Sequence, residues 1–151
     1  MTDNNPSEEL IALIQKALTM EHQAYIQYLS HAEIPTGLTS NSLINQLKDN
    51  ASDELKHAST LRNLLGDFFG VTPTMDVAPT ELASTDSTIL SVNLQAEKDA
   101  VLIYQDILEK LDLEKNSLPF AYFKVEREIR LILIEESEHI SELKRLASIN
   151  P

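Results

Sequence analysis

The chain contains no cysteine, so disulfides, thiolate-bound zinc or iron–sulfur clusters and thiol nucleophiles are excluded. Glycine (three) and proline (six) are scarce and the prolines are confined to a few places, which leaves long stretches without strong breakers. No run of about 18 apolar residues occurs, so no membrane-spanning helix and no membrane partner are expected. Basic residues are few: 12 against 24 acidic ones, for a formal charge of −12. Such a surface repels nucleic-acid phosphates, so no nucleic-acid partner is expected, and its field favours cations. The polar start Met1-Thr2-Asp3-Asn4-Asn5-Pro6 lacks the apolar segment of a secretory leader, and a cytoplasmic protein is expected.

What is present is helix material. Apolar residues make up 42% of the 151, and Leu, Ile, Ala, Glu and Lys dominate the long stretches. The length suits one domain over 1–151 with one core. Four helices are predicted. The first runs from Ser7, as N-cap, to Glu33, before the breaker loop Ile34–Thr39. The second covers Ser40–Phe69, stopped by Gly70; residues 71–84, with Pro73 and Pro79, form a long connection. The third covers Thr85–Leu113, and the fourth follows Pro119 and reaches Ser148.

Charged residues interrupt the apolar stripes in a patterned way. Stepping by three and four along the first helix gives Ile14, Ala17, Glu21, Ala24, Tyr28; the second gives Leu43, Leu47, Asn50, Glu54, His57, Leu61. The third gives Leu90, Leu94, Glu97, Val101, Tyr104, Leu108, Leu111, and the fourth Ile129, Leu133, Glu136, His139, Leu143. Each helix thus places one glutamate on its core face, and two carry a histidine three residues later. Buried glutamates are rare unless paired, and four close together repel one another. Two divalent cations would supply the missing counter-charge. Glu135 and Glu138 are read as solvated surface, as are His22 and His31.

Loop positions set the depth of these residues. Glu21 and Glu54 are centred between Gly37 and Leu38, in the first predicted turn, and Glu97 and Glu136 between Asn116 and Ser117, in the last. In an antiparallel hairpin, residues equidistant from the turn are level. If the second and third helices run parallel, their link must span about 40 Å, which residues 71–84 can cover at an extension of roughly 2.7 Å per residue; a short reversal fits as well but would waste much of this loop. The halves also repeat: Glu21 precedes Tyr28 by seven, as Glu97 precedes Tyr104, and Glu54-x-x-His57 matches Glu136-x-x-His139.

Glu, Glu-x-x-His, Glu, Glu-x-x-His on four helices resembles the di-iron carboxylate pattern of the ferritin-like superfamily, nearest its bacterioferritin and rubrerythrin branches, over residues 8–147. The resemblance implies an all-α four-helix bundle with a long crossover between the second and third helices. It implies two iron ions, with manganese as an alternative: Glu21 and His57 on one, Glu97 and His139 on the other, Glu54 and Glu136 bridging. Tyr28 and Tyr104 are the candidate catalytic residues, as hydrogen-bond donors to carboxylates or as electron donors. Leu55 stands where bacterioferritins carry a haem-ligating methionine, so no haem is expected. The short tail after His139 and the longer second half argue against a cage of 24, and a homodimer is expected on family grounds. Without cysteine, and with Leu94 and Ala100 flanking Glu97, a self-contained rubrerythrin peroxidase is not expected.

Three functions follow. The first is ferroxidase-type oxidoreductase chemistry, with Fe(II) oxidised by O2 or peroxide in iron handling and oxidative-stress protection. The second is a di-iron oxidase or oxygenase acting on an organic substrate, for which the stripes of large residues show no obvious gap and which an apolar pocket of a few hundred Å³ reaching the site would favour. The third is a non-enzymatic helical interaction module.

Overall fold

The computed structural model describes residues 3–38 and 40–149. Met1 and Thr2, in the polar start, Thr39, in the first breaker loop, and the last two residues lie outside them. Four long helices and no strand occur among the described residues: α1 (Glu8–His31), α2 (Ser40–Asn63), α3 (Asp86–Leu113) and α4 (Tyr122–Ile149). No helix among them is long and apolar enough to cross a membrane.

Local chemistry sets the ends. The Ser7 hydroxyl accepts from Leu10 N at 3.0 Å, and Thr85 forms a reciprocal capping box with Thr88, both satisfying orphan amides of a first turn. α2 runs into a π-helical turn, Leu64–Phe68, and stops at Gly70, whose φ of 63° is the left-handed conformation glycine adopts without strain. α4 begins at Tyr122 rather than directly after Pro119. The amides of Phe120 and Ala121 are taken instead by Asn4 Oδ1, at 3.1 and 2.9 Å, so the N-terminal arm caps the last helix.

α1–α2 and α3–α4 are antiparallel hairpins, joined mainly along the α1–α3 seam. Contacts pair Gln27 with Asn93, and Tyr28 with Glu97, but Glu21 with Tyr104, so α1 and α3 are also antiparallel. α2 and α3 are therefore parallel, and residues 71–84 make the predicted full-length crossover. The crossover is a strap lying along α1. Gln15 holds Thr72 O and Thr74 N, Thr19 O accepts from Ala78 N, His22 donates to Asp76 O at 2.7 Å, and Gln27 Oε1 accepts from Glu81 N.

The core falls into two apolar clusters with a polar layer between them. The larger contains Leu10, Leu18, Leu61, Leu65, Ile107 and Ile129; the smaller contains Leu43, Leu47, Ile89, Leu90 and Leu143. On α3 the buried line is Ile89, Asn93, Glu97, Ala100, Tyr104, Ile107, Leu111, which leaves Leu94, Val101 and Leu108 only half-buried. The stripe drawn through the large residues shares Leu90, Glu97, Tyr104 and Leu111 with the buried face but takes Leu94, Val101 and Leu108 as well, because Asn93 and Ala100, small enough for close helix approach, hold two of the buried positions.

Candidate metal centre

The polar layer is made of the glutamates and histidines that interrupt the stripes. Glu21, Glu54, His57, Glu97, Glu136 and His139 are each at most 3% exposed. They form two overlapping groups, Glu21, Glu54, His57, Glu136 and Glu54, Glu97, Glu136, His139, in each of which one donor atom per residue lies within 4.8 Å of the others. Glu54 and Glu136 belong to both groups.

Both imidazoles turn Nδ1 inward. His57 Nδ1 is 3.2 Å from Glu136 Oε1, 3.6 Å from Glu21 Oε2 and 3.8 Å from Glu54 Oε1. His139 Nδ1 is 3.1 Å from Glu54 Oε1, 3.3 Å from Glu97 Oε1 and 3.5 Å from Glu136 Oε1. The outward nitrogens are held by carboxylates: His57 Nε2 donates to Glu135 Oε2 at 2.6 Å, and His139 Nε2 to Asp53 Oδ2 at 2.9 Å. Such a bond fixes both the tautomer and the ring angle, leaving Nδ1 for a cation. The tyrosines cross over in the same way: Tyr28 of α1 donates to Glu97 of α3, and Tyr104 of α3 donates to Glu21 of α1.

Sequence reasoning missed the outer carboxylates. Asp53 was not singled out, and Glu135 was assigned to solvated surface, as its half-exposed side chain suggests. Their common signal is the position directly before each bridging glutamate, Asp53-Glu54 and Glu135-Glu136. Glu138 is exposed, as expected. His31 is not a surface residue. The strap covers it, its Nε2 donates to Glu81 O at 3.0 Å, and its Nδ1 accepts from Asn93 Nδ2 at 2.8 Å. His22 is half-buried under the same strap.

Electrostatics explain how the cluster is tolerated without a cation. Burial, then the charges of Glu136, Glu21 and Glu97, push the Glu54 carboxyl well above its ordinary range. Burial and Glu136 raise Glu97 to about 8 against the pull of His139 and Tyr28. Burial would likewise raise Glu136, but His139 and His57 outweigh it and hold that carboxylate at about 2. Burial would lower the imidazoles. Glu136 and Glu21 instead hold His57 at about 11, and Glu136 and Glu97 hold His139 at about 12. The metal-free cluster thus balances its charge with protons.

Protons do not satisfy the geometry. Glu21 Oε2, Glu54 Oε1, His57 Nδ1, Glu97 Oε2 and Glu136 Oε1 are all buried with no hydrogen-bond partner. Five such atoms converging in one layer are far outside the usual near-complete pairing of buried polar groups. A gap of about 10 Å³, lined by all four glutamates and by the small Ala24, Ala96 and Ala100, lies among them. A second cavity, of about 480 Å³, opens between α1, α2 and the strap and reaches Glu21. The stripes gave no sign of it, because the strap forms one of its walls and the void lies outside the bundle core.

The model of the ferritin-like domain family matches residues 11–148. Among solved structures, the crystal structure of a ferritin-like diiron-carboxylate protein from Bacillus anthracis strain Ames superposes with a TM-score of 0.82 at 24% identity, over 93% of this chain and 96% of that one. No curated protein matches the chain in sequence. With a family model spanning nearly its whole length, and the bundle that goes with it, the chain belongs to the ferritin-like family.

Proposed function

We propose that the chain binds two iron ions and acts as a ferroxidase-type oxidoreductase, oxidising Fe(II) with O2 or peroxide in iron handling and protection from oxidative stress. In this reading Glu21 and His57 hold one ion, Glu97 and His139 the other, and Glu54 and Glu136 bridge them. The observation that carries it is the set of five buried, unpartnered donor atoms converging from four helices. Carboxylate oxygens with one imidazole per ion suit iron and also accept manganese. When bound, an iron pair supplies Lewis acidity and two electrons to a dioxygen unit.

The chain's own residues prepare the site. Glu135 and Asp53 keep each Nε2 protonated, so each Nδ1 offers its lone pair inward once its own proton has left. Tyr28 and Tyr104 pin one oxygen of Glu97 and Glu21, leaving the other for a cation, and each sets an oxidisable phenol against the cluster. The apolar clusters on either side exclude water. The reading includes a cytoplasmic homodimer without haem, since Leu55 offers no sulfur ligand.

Anaerobic loading with Fe(II), followed by exposure to O2 or H2O2, tests it. Two irons per chain and oxidation much faster than in a folded Glu54→Ala variant are expected. Equal stoichiometry and equal rates in the two proteins would overturn the proposal and favour an interaction module.

A further inference from the structure

The cavity between α1, α2 and the strap carries an inference that does not depend on the iron chemistry proposed above. Its volume, about 480 Å³, is that of a small-molecule site. Its walls are mostly apolar and include large side chains left open to solvent, Ile26 (44% exposed), Leu55 (49%) and Val77 (46%). Water gains little there, and an apolar occupant would release it.

The cavity lining includes one arginine, Arg62, which lies beside His22. His22 Nδ1–H donates to Asp76 O at 2.7 Å, so its Nε2 is the lone-pair nitrogen, and Arg62 Nη1 donates to it at 3.1 Å. Arg62 is therefore oriented by a neutral partner. It makes no ion pair with any carboxylate among the described residues, whereas Arg127 and Arg130 pair with Glu128 and Glu126. In a chain with two acidic residues for every basic one, a half-buried guanidinium with no ion-pair partner among the described residues is a vacant counter-ion position. Its remaining N–H groups match the two oxygens of a carboxylate.

We propose that this cavity binds a small amphiphilic monocarboxylate, with its carboxylate on Arg62 and its apolar chain over Leu55 and Ile26 beneath the strap. The inner wall includes Glu21, so the occupant touches the edge of the metal centre.

Calorimetric titration of the full-length chain with decanoate, decanol and decylamine, below micelle-forming concentrations, tests the proposal. One decanoate site per chain is expected, with decylamine weaker. Arg62→Gln should weaken decanoate by about tenfold or more, the loss of one charge-assisted contact, and leave decanol unchanged. Leu55→Glu, at a half-exposed position, should repel decanoate while circular dichroism reports a native helix content. No decanoate binding, equal decanoate affinity in the Arg62→Gln protein, or sedimentation showing this face sealed in a dimer that decanoate does not enter would each overturn it. Because the titration needs no metal, its failure leaves the iron reading standing, and failure of iron binding leaves this site standing.

Discussion

Replacing Glu97 with glutamine should stabilise the metal-free protein and weaken the metal-bound one. Burial and the Glu136 charge raise its carboxyl from 4.5 to about 8. The unfolded chain ionises above 4.5, while the folded chain keeps the proton until about 8. The contribution of a raised carboxyl is therefore fully present below 4.5 and lost as pH climbs toward 8. At pH 7 the gap is about 2.5 units, or about 3 kcal/mol at 1.36 kcal/mol per unit. Glu97→Gln removes this titration while keeping the shape and an oxygen to accept from Tyr28. Its amide also places a donor near the protonated His139, so a net gain of about 1–3 kcal/mol is expected, or roughly 3–10 °C in Tm. Urea unfolding with EDTA at pH 5 and pH 7 should show the gain growing with pH. With Co(II) at one hundred times Kd, the wild type gains about 2.7 kcal/mol per bound ion and the variant less, so the order reverses or narrows. A variant destabilised equally at both pH values, or stabilised by Co(II) as much as the wild type, would refute the reasoning.

Asp53→Ala and Glu135→Ala should each weaken Co(II) binding about 10–100-fold, through the opposite histidine in each case, with altered visible spectra of the site and little change in metal-free stability. Loading two divalent ions at pH 7.5 should release about two or more protons, because His57 and His139 are held protonated to about 11 and 12 and must surrender Nδ1; calorimetry in buffers of different ionisation heat that gives fewer than one proton contradicts this. Burial lowers His31 below its ordinary 6.5, so its contribution to stability is present above that value and lost as pH falls through it toward the folded pKa. A proton added at Nδ1 would face the Asn93 amide, so acid should speed proteolysis of the strap in the wild type, and His31→Gln should flatten that response.

What the sequence made legible was periodic or symmetric. The turns centred near Gly37 and Asn116 put the two glutamates of each hairpin level, because helical rise is uniform and hairpins mirror it. The same arithmetic allowed either a full-length crossover or a short reversal; the resemblance implied the crossover, and the antiparallel pairing of α1 with α3 makes it one. What stayed hidden depended on contacts between segments. The strap along α1 changes the standing of His22 and His31 and creates the apolar cavity, and nothing in the stretch Val71–Ser84 has a period that forecasts docking. On α3 the expected stripe holds Leu90, Glu97, Tyr104 and Leu111, all buried, but Leu94, Val101 and Leu108 are only half-buried, because the small Asn93 and Ala100 occupy the closer positions. Asp53 and Glu135 escaped because an acidic residue on a half-exposed helix face is ordinarily solvent-facing.

The pairing of Asp53 with His139 and of Glu135 with His57 shows how one sequence device makes both halves of the centre. In antiparallel α2 and α4 the partners satisfy one register: stepping four residues forward on α2, from Asp53 to His57, steps four back on α4, from His139 to Glu135. A five-residue segment, acid-Glu-x-x-His, therefore supplies on one face a bridging carboxylate, a ligand nitrogen and the anchor for its counterpart's imidazole. Neither copy is complete alone, since each histidine is oriented only by the other segment. Preorganisation of this kind has a thermodynamic consequence: the groups converge whether or not a cation is present, so the bare layer is held in protonated, partly unpartnered form. The apolar clusters above and below are tied to the layer through Tyr104 and Tyr28. A cation then removes an existing penalty instead of creating a structure, which makes metal binding a stabilising event for an already formed bundle.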